Sequence, residues 1–139
     1  MQDQYSLLYR EEEREMFGLL DHQGVGAIPY SPLAKGRVTH PWGTKTHRNS
    51  HDEVQDATFL DTDEPIVNAV ESIATARGIP MAQVALAWVL RNPVVSAPIV
   101  GATKAHHLAD AAAALDIELT DDEATAMERH YTPRQAAGF

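Results

Sequence analysis

The chain of 139 residues contains no cysteine. Disulfides and thiolate metal sites are therefore excluded, and a reducing compartment is permitted. Positive charge is scarce: 11 Lys and Arg stand against 20 Asp and Glu, for a net charge of −9. So acidic a chain repels nucleic acid in general, and no nucleic-acid partner is expected, although a local basic patch can still hold a phosphate. No apolar run approaches the ~18 residues of a membrane span, so no membrane partner is expected. Residues 1–5 lack the basic and apolar pattern of a signal peptide, which makes the cytoplasm the default location. There is no Gly-rich P-loop, GxSxG elbow or HExxH pair. What is present is ordinary for a soluble domain, with 44% hydrophobic and 22% charged residues. A chain of this size can bury roughly two-thirds of its unfolded surface around one core.

Hydrophobic periodicity divides the chain into short elements. Tyr9 to Gln23 reads as a helix, with Glu11, Glu12 and Glu13 at its positive end, Met16, Leu19 and Leu20 on its apolar stripe, and Gly24 as its stop. Val25 to Pro29 reads as a short buried strand, with a further strand conceivable over Gln2 to Leu7. Residues Ala34 to Thr62 form a long polar stretch, either a functional loop or a merely flexible one. Glu64 to Arg77 returns to helical period, and Gly78 ends it. Pro80 then opens a helix from Met81 to Arg91 that is apolar nearly all round and so needs cover on most sides. Ala97 to Val100 reads as another short strand, and Lys104 to Leu115 as an Ala-rich helix. Thr120-Asp-Asp-Glu123 is a capping box that starts a last helix to about His130. The tail from Thr132 to Phe139 reads as irregular. Parallel strands joined by helices are the grammar of α/β folds.

Two strand ends carry residues suited to a ligand. At the first, Tyr30 presents a flat ring that can stack on a heterocycle. Ser31, Leu33 and Gly36 can offer hydroxyl or backbone donors to a diphosphate, with Lys35 adding charge. The plainer alternative is a strand capped by an aromatic and a proline turn. At the second, Gly101 permits close backbone approach, Thr103 can cap a helix or hold a phosphate oxygen, and Lys104 sits at a helix N-terminus, where anions bind. The trio His40, His47 and His51, with Asp52, fits no zinc spacing and reads as solvated loop histidines.

Four segments together resemble the C-terminal half of an aldo-keto reductase, of the bacterial kind similar to potassium-channel β subunits. They are Gln2 to Met16 (QDQYSLLYREEEREM), Ile28 to Gly36 (IPYSPLAKG), Gln83 to Trp88 (QVALAW) and Pro98 to Lys104 (PIVGATK), in the family's order and spacing. The resemblance implies an α/β fold that is an incomplete (β/α)8 TIM barrel. It would hold roughly the last two to three strands with their helices and the C-terminal helix, as one unit over 1–139 with a long loop at about 34–62. It implies NADPH as cofactor, weakly held or lost in this fragment, with Gln2 on the carboxamide, Tyr30 stacked on the nicotinamide, and Ser31, Pro32, Leu33 and Gly36 around the diphosphate. Arg48 matches a basic residue of the loop over the cofactor, and Gly101, Thr103 and Lys104 match the adenosine phosphate segment. His107 and Asp110 stand where Arg or Gln, and Glu, are common; Ala111 replaces the usual Asn. The family's catalytic Asp, Tyr, Lys and His lie on its first four strands, so no catalytic residue is expected here. The chain is expected to be a cofactor-binding part that is inactive alone. Its partners would then be the nicotinamide dinucleotide and either a second copy or a missing N-terminal half. A non-catalytic nucleotide-binding or self-associating module is the other reading.

Overall fold

The computed structural model describes residues 1–44 and 60–135. Five α-helices supply most of the regular structure among the described residues: α1 (Met16–Gln23), α2 (Glu64–Arg77), α3 (Met81–Leu90), α4 (Ala105–Ala113) and α5 (Asp121–Glu128). No single described helix is long and apolar enough to cross a membrane. No regular strand forms among the described residues; where strands were expected there are three extended segments joined by isolated parallel bridges, Gln4 to Tyr30 and Ala27 to Val95. Residues 1–5 pair with 27–30: Ile28 and Tyr30 donate their N–H groups to Met1 and Asp3 carbonyls at 2.8 Å. Residues 27–30 pair in turn with 94–99, through Ala27 N–H to Val94 O and Ser96 N–H to Ala27 O, each 2.8 Å.

Alternation along these segments sorts their side chains into two faces. Asp3, Tyr5, Ala27, Pro29 and Val95 are buried against the helices, whereas Gln2, Ile28, Tyr30 and Ser96 are exposed on the other face. Gly26 leaves room for Ser96: a Cβ at 26 would lie 1.9 Å from the Ser96 Oγ, which would have to rotate away, and 3.2 Å from its Cβ.

Helix α3 is the centre of the core. Met81, Val84, Ala85, Leu86, Ala87, Trp88 and Val89 are all buried, as its continuous apolar surface demands. It is covered by α2, α4 and the turn at Ala114–Asp116. Helix α2 in turn packs on α5, bringing Val70 and Ile66 into the same cluster as Met127. Trp88 is 3% exposed. It donates Nε1–H to Glu128 Oε1 at 2.7 Å and lies 5.1 Å from the Tyr5 ring. Tyr5 also meets Phe17 edge-on at 4.8 Å, a favoured aromatic geometry.

Several elements differ from the periodicity reading. The helix expected over Tyr9 to Gln23 is a 3-10 turn at Glu11–Glu13 followed by α1, with a break at Glu15 (φ −142°). Its acidic side chains serve tertiary contacts rather than the helix end. Glu13 accepts from Tyr5 Oη (2.6 Å) and Arg10, and Glu11 accepts from Tyr131 Oη (2.7 Å). Val25 is exposed rather than buried. The third segment begins at Val94, earlier than expected, where Val94 O accepts from Ala27 N–H, and it runs to Ile99, with Pro98 having no N–H to pair. The tail is irregular through 135 but anchored: Arg134 pairs with the buried Asp63 and lies over the Tyr131 ring.

Candidate nucleotide cleft

The two strand ends singled out in the sequence lie side by side. They line one cleft of about 630 Å³, Tyr30, Ser31 and Leu33 on one wall, Gly101, Thr103 and His107 on the other. Pairing of the segments produces this placement: Ile99 N–H donates to Pro29 O at 2.8 Å, so both chains leave the sheet at the same level. Leu86 of α3, 2% exposed, belongs to both the cleft lining and the core.

The first wall is unusual in its backbone. Ser31, Ala34 and Lys35, none of them glycine, have φ of 53°, 48° and 56°, and Gly36 follows at 95°. Each such non-glycine residue costs about 1 kcal/mol or more, and strain of this kind collects at ligand sites. The turns are closed by Ala34 N–H to Ser31 O (2.9 Å) and Gly36 N–H to Leu33 O (2.8 Å). The N–H groups of Ser31 and Leu33 have no backbone acceptor among the described residues. The step from Leu33 (φ −98°, ψ 17°) to left-handed Ala34 is the right-then-left pair from which an anion-binding nest is built; Ala34, Lys35 and Gly36 then all stay at positive φ, with the Ala34 and Gly36 N–H groups spent on the turns. Tyr30 is held by its backbone between Asp3 and Tyr5 while its side chain stays largely open.

The second wall ends in α4. Its N-cap is Lys104, and no side chain caps it. Thr103 is therefore not the cap, and the first N–H groups of α4 retain the unsatisfied character of a helix start. His106 and His107 meet edge-on at 4.5 Å. Asp110 is tied to α3 by Gln83 Nε2, which donates to its Oδ1 at 3.2 Å.

Of the other residues picked from sequence, Pro32, Gly36 and Asp110 also line the cleft. Lys104 borders it as the α4 N-cap, and Gln2 is exposed on the open face of the first segment. Arg48, with His47, His51 and Asp52, lies outside the described residues. His40 lines the cleft, and no group of three His, Asp or Glu among the described residues is placed to hold a metal. Sequence reasoning missed His106, Pro80 and Ala82, which also line the cleft. The doublet of histidines in the first turn of α4 was the available signal for His106.

A model of the Aldo/keto reductase family matches residues 1–132. An aldo-keto reductase of Fusarium vanettenii is 40% identical over 99% of this chain, which covers 38% of that protein. The versiconal hemiacetal acetate reductase of Aspergillus parasiticus is 34% identical over 96% of this chain and is covered to 40%. Among solved structures, a thermostable aldo-keto reductase crystallised with the inhibitor epalrestat superposes with a TM-score of 0.68. At 23% identity over 93% of this chain that likeness is one of fold. The chain thus spans about two-fifths of the length of the relatives it matches.

Proposed function

The chain belongs to the aldo-keto reductase family, and from that premise we propose that residues 1–139 are the C-terminal, cofactor-binding part of an NADPH-dependent carbonyl reductase. In this reading the three parallel segments and their helices are the last strands of an incomplete (β/α)8 barrel. The observation that carries it is the strained nest at Ser31–Gly36 facing the uncapped start of α4 across one cleft. Two anion-binding backbone features, an open aromatic face and Lys35 within one concavity, with Lys104 at its border, suit a ligand with a planar ring and several phosphates. The residues present therefore fit a dinucleotide. Tyr30 would take the nicotinamide ring, the nest and Lys35 the diphosphate, and Thr103, Lys104 and the histidine pair the adenosine phosphate.

When bound, NADPH supplies the hydride for carbonyl reduction. The chain's own residues bind and orient. The Tyr30 backbone is fixed by two hydrogen bonds to the first segment, which places the root of its side chain at the cleft before any ligand arrives. The general acid of the family falls on strands outside these residues, so this part alone holds the donor without the proton source.

The test is an NADPH titration of the purified chain by intrinsic fluorescence. Saturable binding weaker than micromolar is expected, with affinity falling at least ~10-fold in Tyr30→Ala, the loss of one stacked ring. No aldehyde reduction is expected. Absence of saturable binding, or indifference to Tyr30→Ala, overturns the assignment of the cleft. Robust turnover by the chain alone overturns the claim that it is inactive.

A further inference from the structure

The wall of the cleft formed by α4 is the one whose charge can change. His106 and His107 both line the cleft, and their rings meet edge-on at 4.5 Å. His106 is exposed and His107 half-buried, so both exchange protons with solvent. The His107 N–H turns back to Lys104 O at 3.0 Å, while the Ala105 and His106 N–H groups have no backbone acceptor among the described residues. The pair therefore sits on the turn of α4 where negative charge is favoured. Histidine is the side chain that changes charge between about pH 5 and pH 8.

The other charged groups around this wall nearly balance. On α4 itself the Asp110 carboxylate lines the cleft, with Gln83 Nε2 donating to one of its oxygens, and Lys104 stands at the border. From α3 and the residue before it come Pro80, Ala82 and Leu86, none of which carries charge. The opposite wall brings Lys35, His40 and the Tyr30 phenol. With His106 and His107 neutral, Lys104 and Asp110 offset each other, and α4 offers an anion little beyond its first N–H groups. With the rings protonated, the same wall turns positive. Two imidazolium rings this close repel each other, and a dianion beside them offsets that repulsion.

We propose that His106 and His107 make the cleft's choice between dinucleotides conditional on pH: one that bears an added phosphate monoester is preferred in acid, and the preference fades as the pair loses its protons. The proposal rests on the reading of the cleft as a dinucleotide site. Its sign sets it apart from binding by fixed charges. A phosphate monoester takes up its own second proton near about pH 6, so its charge falls in acid. Lysines alone would therefore hold it less well as pH falls. A histidine pair does the reverse, because the rings gain charge over the same range and, once charged, keep the monoester ionised beside them.

The experiment titrates the chain with NADP+ and with NAD+, which differ only in that phosphate, by calorimetry at about pH 6 and about pH 8. The ratio of the two dissociation constants cancels everything the ligands share, the ring and the diphosphate included. The preference for NADP+ should rise at least ~10-fold from the higher pH to the lower. Near about pH 7, in buffers of different ionisation enthalpy, NADP+ should also draw more protons onto the complex than NAD+ does. The double variant His106→Gln with His107→Gln should abolish both the rise and the extra uptake, and His40→Gln should keep both. A preference that is flat or falls in acid, one that still rises in the double variant, or one that disappears with His40→Gln each overturns the proposal. Binding of both dinucleotides with no pH-dependent preference sinks this inference and leaves the assignment of the cleft standing. No saturable binding of either at any pH sinks both.

Discussion

The helical side and the strand-end side of this chain are built to different standards. On the helical side, long polar side chains close on one another. Arg77 donates to both Glu123 oxygens at 2.6 Å and to Glu118 O at 3.0 Å. Tyr131 Oη donates to Glu11 and accepts Arg10 N–H at 2.8 Å. Asn92 donates to the buried Tyr5 hydroxyl, whose ionisation is pushed up by burial and by Glu13. On the strand-end side, Ser31, Ala34 and Lys35 hold left-handed backbone, α4 starts uncapped, and Asp3 is buried without a partner. The contrast separates what stabilises the chain from what, on the cofactor-binding proposal, a ligand would engage. Packing holds the first side at its own optimum. The second carries strain and unmade hydrogen bonds.

The contrast breaks most visibly at Arg134. Both Asp63 and Arg134 are nearly inaccessible, the second Arg134–Asp63 contact is 3.3 Å, and Leu60 N–H also donates to Asp63 at 3.1 Å. Removing one member of a buried pair leaves the other charged in apolar surroundings. Arg134→Met should therefore cost about 3–5 kcal/mol of stability, a large share of the roughly 5–15 available to a domain. Urea unfolding measures it. The double variant Arg134→Met with Asp63→Leu should recover much of the loss. A loss below ~1 kcal/mol in the single variant would place the tail outside the stabilising side.

Legibility in the sequence follows the same division. Helix α2 was readable to its last residue, since Pro65 lies in its first turn and Gly78 sits in the left-handed conformation (φ 66°) that ends it. The Thr120 and Glu123 capping box was equally plain and is formed in both directions, at 3.2 and 2.8 Å. These are local signals, complete within four residues. Arg134 meeting Asp63 was not readable, because it joins points 71 apart in sequence. Nor was the break at Glu15, where tertiary demands on Glu11 and Glu13 override helix propensity. At the cleft, residue types at Tyr30-Ser-Pro-Leu33 and Gly101-Ala-Thr-Lys104 suggested a ligand. The residues alone did not join the two stretches; the family resemblance put both on one dinucleotide, and the pairing of 27–30 with 94–99 is what brings them to one cleft. The positive φ of Lys35 was invisible, since lysine has no preference for that region.

Glycine substitutions sharpen the comparison by sign. Lys35→Gly relieves a left-handed residue and should stabilise the chain by up to ~1 kcal/mol while lowering NADPH affinity through the lost charge. Ser72→Gly, at an exposed position in the middle of α2, should destabilise by about 0.5 kcal/mol and leave nucleotide binding unchanged. Thermal melts of the two variants, with an NADPH titration of each, would show the opposite signs. Destabilisation by both would mean that the strain at Lys35 is not there to be released.

The smallest effect tests the helical side alone. Arg77, donating to both carboxylate oxygens, and the Thr120 N–H hold the Glu123 carboxyl down at about 2, against an ordinary 4.5. Its folded value is depressed, so the stabilisation is complete above pH 4.5 and is lost as pH falls from there towards 2. Glu123→Gln should lower the melting temperature slightly at pH 7, and the gap to the parent should close between pH 4.5 and pH 2. Because Arg77 is 30% exposed at the side chain, solvent and salt screen the pair, and molar salt should shrink the gap at pH 7 as well. A gap that widened on acidification would mean that the carboxyl is stabilised in its neutral form, and that the Arg77 contact contributes nothing to joining α2 and α5.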